Sequence, residues 1–300
     1  MSEAILVPVR AIAPVKKFAL AAGVVTAPFA LALWKLLWFA TGDELYSYIP
    51  LIPLISAYLA WADRSKLPGV SVPARRLALL FLAAAALAVT GYFLLDPAVP
   101  LENQLALSTL AWIFLFTAAG CWFLGAAAMR VLAFPFFLLL FMIPLPVFLR
   151  EGIEALLQQG SAAVAGWLFT LAGTPQIREG TAFRLPGISM EVARECSGIH
   201  STVVLVITGI LAGQLVLRRT GLKVILWLTL VPLALLRNGL RVFVIGELCV
   251  HFGPRMIDSS IHRHGGPVFF LLSLIPFFGL LYWLKQWEKP ALRTPAPKET

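Results

Sequence analysis

Long apolar stretches separated by short polar connections dominate this sequence. Eight of them come close to the roughly 20 residues that a helix needs to cross a bilayer. We place them at about 18–40, 48–62, 77–95, 105–128, 131–149, 199–217, 222–236 and 267–284, and the seventh stays apolar to about residue 250. The runs do not break into the ten-residue alternating strands of an outer-membrane barrel. The pattern therefore predicts an all-α fold, a polytopic transmembrane helical bundle of about eight spans.

Two segments between the fifth and sixth spans do not fit a simple crossing. Residues 152–172 are apolar but carry Glu154 and Gln158, and we interpret them as an interfacial or re-entrant helix rather than a ninth span. Residues 176–198 alternate in polarity and contain glycine and proline. This second segment favours a short strand or hairpin ahead of the sixth span.

Basic residues indicate the topology, because Lys and Arg accumulate in cytoplasmic loops. When the connections are assigned to alternate sides of eight spans, Lys and Arg concentrate on the side that holds both chain ends, and Asp and Glu concentrate on the other. We therefore expect both termini in the cytoplasm, with 150–198 and 237–266 outside. A ninth span at 152–172 would place Arg218 and Arg219 outside, which argues against it.

The predicted organisation is one transmembrane domain with two short cytoplasmic ends. We assign residues 1–17 to an N-terminal segment, 18–284 to the domain, and 285–300 to a disordered tail. The first apolar stretch is longer than a signal-peptide core, so we interpret it as a retained span. We expect a multi-pass protein of the cytoplasmic (inner) membrane.

Composition supports the membrane assignment and excludes several classes of protein. Apolar residues make up 60% of the chain and charged residues 13%, whereas a soluble domain keeps about a quarter of its residues charged. The mean hydropathy of +0.87 excludes a soluble enzyme and a disordered scaffold. The net charge of +9 does not indicate a nucleic-acid partner, because the basic residues form short clusters between apolar runs.

One cysteine stands where a nucleophile would be useful. Cys196 lies at the predicted start of the sixth helix, where unpaired backbone N–H groups and the positive end of the helix dipole favour a thiolate. The simpler alternative is a small buried residue at a helix start. Cys121 and Cys249 lie in apolar surroundings and are interpreted as structural. The three cysteines suit neither a disulfide framework nor a zinc site, so we expect no metal and no cofactor.

Arginine and histidine residues converge on the same predicted face of the membrane as this thiol. Arg237, Asn238 and Arg241 occupy neighbouring positions on one helix, at a depth where arginine requires a carboxylate, carbonyl or water partner. His262 and His264 precede the eighth span, and either imidazole can act as acid or base near neutral pH. Singly, each has a simpler explanation, namely snorkelling to lipid phosphate or a solvated loop. Together they favour a Cys–His nucleophile with an arginine as oxyanion donor.

Three motifs in this order resemble those of the exosortases and archaeosortases, which are integral membrane cysteine proteases of transpeptidase type. The resemblance extends from about residue 43 to 284. The motifs similar to the family's Cys-Ser-Gly, Asn-x-x-Arg and His-x-x-x-Gly elements are Glu195-Cys196-Ser197-Gly198-Ile199, Asn238-Gly239-Leu240-Arg241 and His262-x-x-x-Gly266-x-x-Phe269.

The resemblance implies a reaction. Members of the family recognise a C-terminal tag on secreted proteins, made of a short Pro-Glu-Pro-like motif, a transmembrane helix and a basic tail. They cut beside the motif and transfer the new C-terminus to an acceptor. The implied roles are Cys196 as nucleophile, Arg241 as donor to the substrate carbonyl or oxyanion, and His262 as acid and base. Arg237 and His264 are the alternatives for the last two roles.

The resemblance also implies partners: the sorting-signal helix of an exported substrate, an unidentified acceptor nucleophile and the lipid bilayer. An acidic tag would suit outward-facing arginines, with Arg194 and Asn238 as further possible substrate-binding residues. Two alternatives stay open, a membrane thiol protease that only hydrolyses and a non-enzymatic transport or exopolysaccharide-assembly component. Ionisable residues concentrate at one face rather than in span centres, which favours surface chemistry over transport.

Overall fold

Two compact units, residues 1–150 and 151–300, make up the chain. The computed structural model describes residues 9–68, 72–96, 98–194, 197–253, 255–256 and 266–288. Nearly all elements in these ranges are helices, and three short strands form one sheet in the second unit.

Seven helical segments in the described ranges are long and apolar enough to cross a membrane, and the number is eight if a bent helix pair counts as one span. The seven are Pro14–Gly42, Glu44–Lys66, Arg75–Leu94, Leu101–Phe123, Ile199–Val216, Thr220–Phe252 and Gly266–Trp287. Each overlaps one of the predicted spans. The prediction of an all-α polytopic bundle is therefore confirmed.

The first unit is built around one buried helix. Its helices are α1 (Val9–Thr26), α2 (Ala30–Gly42), α3 (Leu51–Ala62), α4 (Arg75–Leu94), α5 (Leu101–Phe123), α6 (Gly125–Val131) and α7 (Ala133–Leu138). α5 packs against α1, α2 and α4, and apolar or small residues surround its axis, as a buried helix requires. The ring of Phe116 in α5 contacts Phe18 edge-to-face and Phe136 at a tilt, with ring centroids 5.4 and 5.3 Å away.

The fifth predicted span, 131–149, differs from a single straight helix. α6 and the helical segment Ala133–Met142 meet at a bend of 68°. Pro135 lacks the N–H that would bond to the carbonyl of Val131, so α6 cannot continue through it. Further prolines end the segment, and the next helix starts at Val147.

The second unit contains α8 (Val147–Ala172, which starts just before the unit boundary), β1 (Ile177–Glu179), β2 (Ala182–Leu185), β3 (Ile188–Glu191), α9 (Ile199–Val216), α10 (Thr220–Phe252) and α11 (Gly266–Trp287). α8 has 26 residues, yet it is not among the described helices whose composition suits a span. Leu157, Ser161, Ala165 and Phe169 form its buried face, at the four-residue spacing of a helix.

The predicted hairpin ahead of the sixth span is confirmed as a three-stranded antiparallel sheet in the order β1-β2-β3. Gly180 (φ 65°) and Gly187 (φ 78°) lie in its two-residue turns, where a left-handed backbone is needed. The sheet packs against α8 and α10 through one apolar cluster that includes Phe183, Met190 and Val242.

α10 extends well beyond the neighbouring helix α9. α9 has 18 residues, or about 27 Å at 1.5 Å per residue, and α10 has 33 residues, or about 50 Å. The far end of α10 carries the sheet. His251 lies in its last turn, with its ring 3.5 Å from the Glu247 carboxylate.

Two residues at the end of α11 hold the connection between α9 and α10. Lys285 Nζ donates to the carbonyl of Val216 in the last turn of α9 (2.6 Å). The Glu288 carboxylate accepts the backbone N–H groups of Arg218 (2.7 Å) and Arg219 ahead of α10. The Lys285 ammonium thus lies at the C-terminus of α9 and the Glu288 carboxylate at the N-terminus of α10, which is the arrangement that helix dipoles favour. The bond from the Arg219 backbone, followed by those from Arg218 and Lys285, holds the pKa of Glu288 below its usual value.

Candidate active site

The structure describes part of the predicted site. Arg194, Arg237, Asn238 and Arg241 lie within the described residues, together with Ser197 and Gly198 directly after the candidate nucleophile. Cys196, His262 and His264 lie outside them. The described part of the site consists of the start of α9 and the arginine-asparagine segment of α10.

Gly198 forms the turn that starts α9. It is the N-cap residue and has a φ of 73°, in the left-handed region that favours glycine. Its carbonyl accepts bonds from the Thr202 N–H (2.9 Å) and the Thr202 hydroxyl (2.8 Å). On its other side the Ser197 N–H donates to the carbonyl of Arg194 (2.9 Å). Both flanks of the turn are thus fixed by hydrogen bonds.

Arg237 reaches this turn from α10. Its Nη2 donates to the Gly198 carbonyl (3.2 Å) and to the Thr202 hydroxyl (3.3 Å). The residue is only 6% exposed, so its charge is held away from solvent and depends on these oxygens. Arg237 consequently lies level with the start of α9.

Asn238 ties the same turn to a third helix. Its Nδ2 donates to the Ser197 carbonyl (3.1 Å) and to the Ser161 hydroxyl of α8 (3.0 Å). All three residues are buried. α8, the turn and α10 are therefore connected at the backbone that follows Cys196 in the sequence.

Close packing makes glycine necessary at Gly198 for a second reason. A Cβ atom there would lie 3.0 Å from Asn238 Oδ1 and 3.1 Å from Arg237 Nη2. At Gly239, a Cβ would lie 3.0 Å from the Ser161 carbonyl oxygen. These two glycines let the turn and α8 approach α10 closely enough for the Asn238 bonds.

Two buried polar atoms at this position have no hydrogen-bond partner among the described residues. They are Ser197 Oγ and Arg237 Nη1. Buried polar groups in proteins are nearly always hydrogen-bonded, and exceptions call for an explanation such as a functional role. Both atoms can donate a hydrogen bond, and they belong to residues that already meet at the Gly198 turn.

Arg241 and Arg194 occupy different surroundings. Arg241 is half-buried and follows Arg237 by one turn on the same face of α10. The side chain of Arg194 is 71% exposed, and its guanidinium lies 4.0 Å from the Glu151 carboxylate. An exposed pair of this kind contributes little stability.

Sequence reasoning missed the contributions of Ser161 and Thr202. Ser161 lies in the small-residue run Gly160-Ser161-Ala162-Ala163, a pattern that allows close helix packing in membranes. That run was the signal that could have indicated a contact with another helix. Thr202 follows Gly198 by four residues, and this spacing alone does not distinguish it from other helical threonines.

The fold and this site define a polytopic helical membrane protein in which a Ser-Gly turn is fixed by buried arginine and asparagine. The family model for transmembrane exosortases matches residues 38–279. The match covers most of the chain, which therefore belongs to the transmembrane exosortase family and has a membrane function of exosortase type. None of the curated proteins and none of the solved structures compared with the chain matches it.

Proposed function

We propose that this protein is a membrane-embedded cysteine transpeptidase that cleaves the C-terminal sorting signals of exported proteins and transfers them to a cell-surface acceptor. The signal consists of a short Pro-Glu-Pro-like motif, a transmembrane helix and a basic tail. Family membership supports this class of reaction. The observation that carries the site is the buried turn at Gly198, which Arg237 and Asn238 fix directly after Cys196.

The proposed chemistry uses Cys196 as the nucleophile, an arginine as oxyanion donor and a histidine as acid and base. The Cys196 thiolate attacks the scissile carbonyl carbon, and hydrogen bonds from Arg241 stabilise the developing oxyanion. The C–N bond breaks, and the leaving amine takes a proton from His262. An acceptor nucleophile then attacks the thioester, gives its proton to His262 and releases the thiolate. His264 is the alternative acid and base.

The buried donors support this assignment. Ser197 Oγ and Arg237 Nη1 lack partners among the described residues, and the carbonyl oxygen of a bound peptide would supply an acceptor. Arg237 then has two roles. Its Nη2 donates to the Gly198 carbonyl and holds the turn. Its Nη1, which has no hydrogen-bond partner among the described residues, donates to the substrate carbonyl. Asn238 acts through the Ser197 backbone and is a positioning residue.

The depth of the turn suits a substrate anchored in the membrane. α9 separates Gly198 from the Arg218–Arg219 connection by about 27 Å, close to the roughly 30 Å thickness of the hydrocarbon core. A peptide bond just outside a substrate's transmembrane helix would lie at this level. A groove of about 210 Å³ between α10 and α11, lined by Arg237 and apolar residues such as Leu240 and Phe269, has room for an apolar side chain of a helix that lies against this face. We place this end of α9 on the extracytoplasmic side, as the charge distribution suggests.

Processing of a tagged reporter tests the proposal. The full-length protein is co-expressed with an exported reporter that ends in the motif, an apolar helix and a basic tail. Cys196→Ala should abolish processing while the protein stays in the membrane. Cys249→Ala is the matched control, because this second cysteine is buried in the apolar cluster behind the sheet. Undiminished processing by Cys196→Ala would overturn the assignment.

Mass spectrometry of the product separates transfer from hydrolysis. Transfer leaves the new C-terminus joined to an acceptor, whereas hydrolysis leaves a free carboxylate. If all products carry a free carboxylate, Cys196 is still the nucleophile, but the protein is a protease rather than a transpeptidase.

A further inference from the structure

The strand β3 has one main-chain edge that β2 does not use. The Val192 N–H bonds to the Thr181 carbonyl at 3.0 Å, so this pair is a hydrogen-bonded pair of the antiparallel ladder. Bonded and non-bonded pairs alternate along such a ladder, and the register pairs Phe183 with Met190. The N–H and C=O groups of Ser189 and Glu191 consequently point away from β2.

These outward main-chain groups have no described partner. Ser189 and Glu191 are exposed, whereas Met190 between them is buried in the cluster shared with α8 and α10. One face of β3 is thus fixed to the core while its outer edge presents a row of donors and acceptors. Such an edge is a template for pairing with another extended chain.

The position of this edge relates it to the candidate nucleophile. β3 ends at Glu191, and the chain reaches Ser197 six residues later through the turn at Arg194. Val242 and Ile245 of α10 belong to the same apolar cluster as Met190. The strand is therefore anchored to the helix segment that directly follows Arg241.

We propose that β3 is the substrate-docking strand: the extended segment around the scissile bond pairs with Ser189 and Glu191 as a fourth strand of the sheet. This inference rests on the proposed function and assigns the recognition of the peptide main chain to that same site. Pairing with main-chain groups holds a peptide extended irrespective of most side chains, and alternate side chains then face the protein.

A substrate suits this edge better than a second copy of the chain. β3 has four residues, and so short a strand contributes too few hydrogen bonds to hold two copies together unaided. A substrate that is already held in the bilayer by its own helix has a high effective concentration at the site, so a few main-chain bonds suffice to orient it.

Proline at Ser189 tests the docking edge on the enzyme. Ser189→Pro removes an outward N–H that the sheet does not use, so the β2 ladder is retained. We expect cleavage of the tagged reporter to slow about 10-fold or more, since pairing is lost at the centre of the edge. The matched control is Arg178→Pro, which removes the outward N–H of β1 at the opposite edge, where the neighbouring residues pair with β2. It should change the rate by less than about 2-fold.

N-methylation of the substrate tests the same pairing independently of the variant's folding. Synthetic tag peptides in proteoliposomes carry one N-methyl group at successive positions before the cleavage site. Strand addition predicts slower cleavage at alternate positions only, because alternate N–H groups face β3.

The outcomes separate the docking strand from the proposed function. If the wild-type protein does not cleave the unmodified peptide, or if Cys196→Ala cleaves it equally, the proposed function is wrong. If the wild-type protein cleaves it while both the N-methyl series and Ser189→Pro show no loss, the docking strand is wrong and the function stands. Concentration-dependent dimers that Ser189→Pro disperses would assign the edge to a second copy instead and overturn the proposal.

Discussion

The guanidinium of Arg237 donates a 3.2 Å hydrogen bond to the carbonyl of Gly198, two residues after Cys196 in the sequence. The same nitrogen bonds to Thr202 Oγ1 at 3.3 Å, so Arg237 holds the first turn of α9 in place. Arg241 lies one turn further along α10 and is half-buried. Arg237 therefore holds the turn and is the more deeply buried of the two arginines.

Alanine at each arginine should separate these roles. Arg237→Ala leaves the Gly198 carbonyl without a cationic partner, and we expect the Tm to fall by about 5 °C along with the cleavage rate. Arg241→Ala should lower cleavage about 100-fold, the size of effect expected when an oxyanion donor is lost. Thermal unfolding in detergent and reporter processing measure both effects.

Guanidinium added to the medium provides the control for this comparison. It should partly restore cleavage by Arg241→Ala, because that position is half-buried, but not by Arg237→Ala, because the missing guanidinium also holds the Gly198 turn. Equal rescue of the two variants would contradict the holding role of Arg237 at the Gly198 turn.

Gly198 should tolerate no side chain. Alanine at a φ of 73° costs about 1–2 kcal/mol, and its Cβ would lie 3.0 Å from Asn238 Oδ1. We expect Gly198→Ala to lose cleavage almost completely and to lower the Tm. Gly221→Ala is the matched control in the first turn of α10, where a Cβ meets nothing within 4 Å. Full activity of Gly198→Ala would show that the turn does not position the nucleophile.

Asn238 should be required for its amide donor rather than for its size. Asn238→Asp keeps the shape but removes the Nδ2 that bonds to Ser197 and Ser161. We expect cleavage to fall about 10-fold or more, because small displacements of a nucleophile are costly. Ser161→Ala, which keeps the bond to Ser197, should have a smaller effect. Measured pH–rate profiles add a further test, since a displaced thiolate shifts the profile whereas simple destabilisation only scales it.

Sequence periodicity sufficed for most of the membrane fold because apolar run length is set directly by bilayer thickness. It did not show the break in the fifth span, where α6 and the segment Ala133–Met142 meet at a bend of 68°. The alternation around Arg184 located the sheet correctly. Hydropathy alone could not supply the strand order, which depends on the turns at Gly180 and Gly187.

The candidate site was predictable only as a set of reactive residue types. Arg237 and Asn238 were singled out because polar groups at membrane depth need partners. Their partners were not predictable, because Ser161 is separated from Asn238 by 77 residues and Gly198 from Arg237 by 39. Such contacts depend on how the helices pack, and the spacing of residues along the sequence does not show which residues of different helices lie close together.

Glu288 should make stability depend on pH at the end opposite the candidate site. The pKa of its carboxyl group is lowered, mainly by the hydrogen bond from the Arg219 backbone. The ionised carboxylate therefore contributes fully to folding stability above the ordinary pKa of 4.5, and this contribution is lost as the pH falls through the lower pKa of the folded protein. Glu288→Gln should therefore lower the Tm at neutral pH, and the difference from wild type should shrink below pH 4.5. Glu179→Gln, which removes an exposed pair with Arg184, should leave the Tm unchanged throughout. A difference that persists unchanged to pH 2, a value about two units below the ordinary carboxyl pKa, would show that the charge of Glu288 does not stabilise the α9–α10 connection.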